Sequence, residues 1–180
     1  VSCLTAWRGP MLALTAEEAG MTRAEDERDL PEKLVDTDSV HLRTMPEIPS
    51  NWANPALADK WTKVFAVRRV ITSALEPLRR EKTIGSSLQA APTVHLSKEM
   101  HSAVSGVNFT EVAIVSGADV RAGDGPAHAF RVEDIPGVAV EPTLAAGEKC
   151  QRCWQVLPDV AHHVDRICQR CDTAVSTGRS

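Results

Sequence analysis

The chain has 180 residues, 43% of them apolar and 24% charged, with a net charge of −4; this is the composition of a soluble globular protein with room for one ordinary domain or two or three small ones. No apolar run approaches the roughly 18 residues that span a bilayer, and no basic region followed by an apolar stretch opens the chain, so neither a membrane protein nor a signal peptide is expected. The charge is uneven: residues 17–50 carry ten acidic and four basic side chains, whereas residues 55–91 carry seven basic and three acidic, so overall charge does not announce a nucleic-acid partner but local basic surface permits one.

From the N-terminus, Leu4, Trp7, Met11 and Leu14 recur at helical spacing. Gly9-Pro10 predicts a kink or break, and Thr15-Ala16-Glu17-Glu18 has the form of an N-cap opening a new helix. Residues 21–54 are polar, with Pro31, Pro46 and Pro49, and read as connection with a short helix near 29–36. Residues 55–82 give the strongest helix, opened by Asn54-Pro55. Its expected apolar stripe is Trp61, Val64, Phe65, Ile71, Ala74, Leu75 and Leu78, with a kink at Pro77 and a stop at Gly85. Strands are expected at 93–96, 112–115 and 138–140, a helix capped by Ser97 through about Val104, and a loop over 116–126. A polar tail from Ser176 to Ser180 is expected to fray. The fold class is therefore α+β and multidomain: a partial helical bundle over 1–91, a small mixed α/β unit over 92–146 and a zinc-ribbon-like finger over 147–180. The chain opens on Val1 rather than Met and is expected to be a piece of a longer protein.

Chemistry concentrates in the last segment. Cys150-Gln151-Arg152-Cys153 is followed, after fourteen residues, by Cys168-Gln169-Arg170-Cys171. Two residues between sulfurs let one tight turn aim both thiolates at a single ion, and two such turns make a tetrahedral four-cysteine site for one Zn2+. Four protein ligands leave no open position, so the zinc is expected to be structural, a staple for a module too small to fold on its own core. Two redox dithiols, disulfides or an iron–sulfur site are the alternatives. His162 and His163 lie between the pairs as competing ligands. Cys3 stands apart and reads as a small buried apolar residue, and the cysteine usage suits a reducing cytoplasm. Trp154 follows the second cysteine, where a ring at the tip of a rigid turn either covers the metal or stacks on an unpaired base. Arg152 lies in the same turn, within reach of a base edge or a phosphate; Arg170 reads as a solvated arginine. His41, His95, His101 and His128 have no evident partners in sequence and read as structural or surface residues. No Gly-rich phosphate loop or nucleophile elbow is present.

Lys149–Trp154 with Ile167–Cys171 resembles the zinc finger ending bacterial isoleucyl-tRNA synthetases. A related finger ends formamidopyrimidine-DNA glycosylases. Upstream, Thr15–Glu18, Ser39–Leu42, Val67–Val70, Leu75–Arg79 and especially Lys82-Thr83-Ile84-Gly85-Ser86-Ser87-Leu88-Gln89-Ala90 are similar to landmarks of the synthetases. Gly20 stands where that family has an aromatic, and residues 1–35 are expected to be less ordered than the rest. The resemblance implies a parent ligase that uses ATP to attach isoleucine to its tRNA. It implies that this region holds the anticodon arm of isoleucine tRNA, with Arg152 and Trp154 approaching the anticodon. The ATP-site signatures and editing domain have no counterpart here, so the resemblance implies a monomeric, cytoplasmic, non-catalytic fragment partnered by the remainder of the synthetase. A glycosylase terminus and a zinc-ribbon interaction module are the alternative readings.

Overall fold

The computed structural model describes residues 2–21, 39–42, 44–162 and 165–177, the side chains of Ser2 and Cys3 excepted. The helix expected near 29–36 and the environment of Cys3 lie outside what is described, as does much of the segment expected to be less ordered. The chain forms two compact units, Val1–Asn54 and Pro55–Ser180.

In the first unit, α1 (Ser2–Arg8) and α2 (Ala13–Met21) are separated at Gly9-Pro10, as expected. Thr15 is not the cap: α2 opens two residues earlier, with the Ala16 amide donating to the Leu12 carbonyl. Contact is made through small residues, Ala6 and Ala16, and Val40 of a short 3-10 turn, while Leu4, Met11 and Leu14 are exposed. Glu17 is not spent on capping. Its carboxylate accepts from the Val40 amide at 2.8 Å and the Ser39 hydroxyl at 3.1 Å. One side chain thus ties together two landmarks more than twenty residues apart.

The second unit is built on α3 (Pro55–Arg80), which runs through Pro77. Its buried face is Val64, Val67, Val70, Ile71, Ala74 and Leu75. Trp61 and Phe65, expected in that stripe, are exposed instead. They lie more than about 100° round the helix from the stripe's centre, and they pair with each other, ring centroids 5.6 Å apart. The helix stops at Lys82, not Gly85. Lys82 takes φ 60°, its amide donates to Arg79, and the next amide, Thr83, donates to Leu78. This closes the helix with paired bonds from a left-handed residue. Gly85 instead enters a capped turn over Ser87–Gln89. There the Gln89 side chain accepts from the amides of Gly85 (2.6 Å) and Ser86 (3.1 Å).

The sheet has β1 (Thr93–Leu96) at its centre, β2 (Asp119–Ala122) parallel to it and β3 (Val138–Glu141) antiparallel. The first and third strands and α4 (Lys98–Ala103), capped by Ser97, stand where expected. The strand expected at 112–115 does not form. Asn108 accepts from the Thr110 amide and starts α5 (Phe109–Val112). Ile114 then turns left-handed (φ 55°) and outward. The apolar residues of this run are buried by a turn, Phe109, Ala113 and Val115 pointing inward. The actual second strand lies in the expected loop. It is a mostly exposed edge strand with an Asp119–Arg121 ion pair, so its pattern lacks the apolar alternation of a buried strand. His95 and His128 both find a partner in Glu141, at 2.7 and 3.2 Å. The hydrogen bond from His95 holds the Glu141 carboxyl below its ordinary range.

The α3 residues and the sheet share one core, with Ile84, Val94, Leu96, Val115 and Val140 at its centre. α3, placed by the sequence reading with the residues before it, packs on β3. A separate small cluster holds Cys150, Val160, Cys168 and Cys171. No helix among the described residues is long and apolar enough to cross a membrane.

Candidate metal centre

The two cysteine turns are held by different devices. The first closes β4 (Glu148–Lys149) onto β5 (Val156–Leu157), with bonds from Cys150 N to Gln155 O and from Trp154 N to Cys150 O. Trp154 takes φ 67° at its tip. Gly147, at φ 113°, must be glycine, since a Cβ there would fall 2.3 Å from the Leu157 carbonyl. The second turn opens α6 (Gln169–Thr177), capped by the Asp159 carboxylate on the Gln169 amide at 2.8 Å. The helix takes in Ser176 and Thr177, where fraying was expected; residues 178–180 lie outside the described ones.

The Sγ atoms of Cys150, Cys153, Cys168 and Cys171 lie within 4.8 Å of one another. Tetrahedral zinc with Zn–S near 2.3 Å spaces its sulfurs about 3.8 Å apart, and Cys153 and Cys168 stand at 3.8 Å. The donor set and its spacing fit one zinc ion. One sulfur is prepared for charge: Cys150 Sγ accepts from the amides of Cys168 (3.3 Å) and Cys153 (3.5 Å). Burial pushes the Cys150 thiol up, but these amides and that of Arg152 outweigh it and bring it down to about 6. At Cys168 burial and the neighbouring thiols raise the thiol to about 12, and a cation bound among the four sulfurs would favour its thiolate. His162 is exposed and outside the cluster; His163 is outside the described residues.

Both arginines of the turns face sulfur. The Arg152 guanidinium donates to Cys171 Sγ at 3.7 Å. Arg170, read as solvated, is exposed as expected, and the neighbouring Cys153 raises its pKa. Each arginine therefore reaches from its own turn to a cysteine of the other. Trp154 is 60% exposed, and Lys149 Nζ lies 5.5 Å from its ring centroid. Between that ring and the capped turn of the preceding segment runs a groove of about 230 Å³, lined by Gly85, Ser86, Leu88, Gln89, Lys149 and Val156. Ser116 fastens its sides: its hydroxyl donates to the Leu88 carbonyl at 2.5 Å and accepts from the Val156 amide at 2.7 Å. Sequence reasoning missed Lys149, Ser116 and the Gly85–Gln89 turn as parts of the site. Nothing in the residue pattern shows that segments some sixty positions apart meet.

Residues 147–174 match the family described as a zinc finger found in FPG and IleRS. The chain is 46% identical over 159 residues to an isoleucine–tRNA ligase of Agrobacterium fabrum, covering 88% of this chain and 15% of that protein. It is 44% identical over 174 residues to the one of Ruegeria pomeroyi (96% and 17%) and 45% identical over 158 residues to that of Caulobacter vibrioides (87% and 15%). The chain thus spans about one-sixth of the length of these relatives, in their C-terminal part.

Proposed function

We propose that the chain is the C-terminal, tRNA-holding part of an isoleucine–tRNA ligase, whose remaining portion supplies ATP-dependent attachment of isoleucine. The likeness along nearly the whole chain, beyond the finger, supports this reading. Within it, the helices up to residue 91 end the anticodon-binding part, α3 sharing a core with the mixed sheet of 92–146, and 147–180 form the finger. Cys150, Cys153, Cys168 and Cys171 hold one structural zinc. The protein works in the cytoplasm as a monomer and docks the anticodon arm.

The observation that carries the RNA-binding role is Trp154. A residue that merely covered the metal would be buried, yet this ring stands 60% exposed on a turn braced by cysteine ligation and a left-handed backbone. A rigid exposed ring stacks on an unpaired base without paying to order itself. Arg152, next to the ligand Cys153, keeps that turn in shape and so contributes to the RNA-facing surface. The test is binding of the chain to the anticodon stem–loop of isoleucine tRNA against duplex DNA of equal length. Preference for the stem–loop is expected. Trp154→Ala should keep its zinc and weaken stem–loop binding by roughly 1–3 kcal/mol; unchanged affinity would return the ring to a covering role. Equal failure on both nucleic acids would leave a protein-interaction module.

A further inference from the structure

The geometry points to Lys149, rather than Arg152, as the cation that meets RNA beside Trp154, in a groove that takes one unpaired nucleotide; this rests on the tRNA-binding reading above. Arg152 is already engaged. Its guanidinium lies on Cys171 Sγ at 3.7 Å, against the four-cysteine cluster. Turning Arg152 toward a phosphate would give up that contact and uncover the sulfur. Lys149 faces the ring rather than the cysteine cluster. Both side chains are exposed, but the Lys149 ammonium stands 5.5 Å from the Trp154 centroid, inside the roughly 6 Å range in which a cation is drawn to a ring face.

The rest of the groove suits a single base. Leu88 and Val156 supply apolar lining, and Gly85 and Ser86 have their amides occupied by Gln89. The Ser116 hydroxyl joins Leu88 to Val156, so the two sides keep their separation. A flat base can enter against the Trp154 ring, with Lys149 on a phosphate oxygen or a ring acceptor. A base pair, stacked in its helix, cannot present one face this way.

The experiment uses the full chain and a fluorescent anticodon stem–loop of isoleucine tRNA, with a fully paired RNA duplex as control. Lys149→Met is expected to weaken stem–loop binding roughly tenfold and to reduce the log–log salt slope by about one, with zinc content unchanged. Arg152→Met is expected to surrender zinc to a chelator faster than the parent chain. Wild-type affinity and slope in Lys149→Met, with lost affinity and firmly held zinc in Arg152→Met, would overturn the assignment. A second readout needs no variant: the stem–loop should shield Lys149 from amine-reactive labelling and the duplex should not. Equal labelling with both would also overturn it. If the unaltered chain ignores the stem–loop altogether, the tRNA-binding reading fails, and the groove assignment with it.

Discussion

Cys168 sits where two demands conflict. It is buried and its thiol is pushed up to about 12, yet it is one of four sulfurs converging within 4.8 Å. A cation bound among the four would take the place of that proton. Removing this ligand leaves three thiolates crowded without a complete shell, in a module whose own core is Val160 and the cysteines. Cys168→Ser should therefore lose zinc and unfold residues 147–177, because metal binding supplies folding free energy on the order of 10 kcal/mol in small zinc modules. Zinc content with amide exchange of that segment checks this, and a variant that kept both metal and protection would refute the four-cysteine assignment. The residue scale also separates what spacing reveals from what it hides. Two CxxC pairs specify ligands because the turn and the tetrahedron leave few alternatives, whereas Arg152 and Arg170, identical in local sequence, disclose their cross-turn partners only once the turns are brought together.

Among the elements, the junction between the capped turn and the finger depends on one hydroxyl. Ser116 is buried and serves a carbonyl and an amide from two different segments. Gln155 adds a bond to the Val115 carbonyl at 3.3 Å. Ser116→Ala would leave the Leu88 carbonyl and Val156 amide short of a partner, at a cost of about 1–3 kcal/mol. Urea unfolding should show the lowered midpoint, and an unchanged midpoint would mean that the two segments hold together without it. Local signals were read correctly where the backbone decides by itself: Asn54-Pro55 starts α3, Ser97 caps α4, and Gly9-Pro10 breaks the N-terminal helices. They misled at 112–115, where an apolar run suits a strand and a buried turn equally, and at β2, whose exposure removes the alternation that identifies a strand.

For the whole second unit, the consequence of two separate cores is uneven stability. The larger core runs from Val64 to Val140 and contains none of the four clustered cysteines, whereas the smaller is made mostly of them. Chelation should unfold the finger and leave α3 and the three-stranded sheet intact. Circular dichroism should accordingly show a partial loss of structure, and complete unfolding would show that the cores are interdependent. The sequence by itself determined the four-cysteine cluster, the long helix and two of the three sheet strands, because each follows from short-range stereochemistry or a dense apolar period. Only the tertiary structure decided which face of α3 is buried, that the second strand is a polar edge, that Glu17 bridges to Val40, and that Lys149 and Trp154 share a groove with the Gly85–Gln89 turn. Those outcomes depend on contacts between residues distant in the chain, whose meeting leaves no period, cap or spacing to be read.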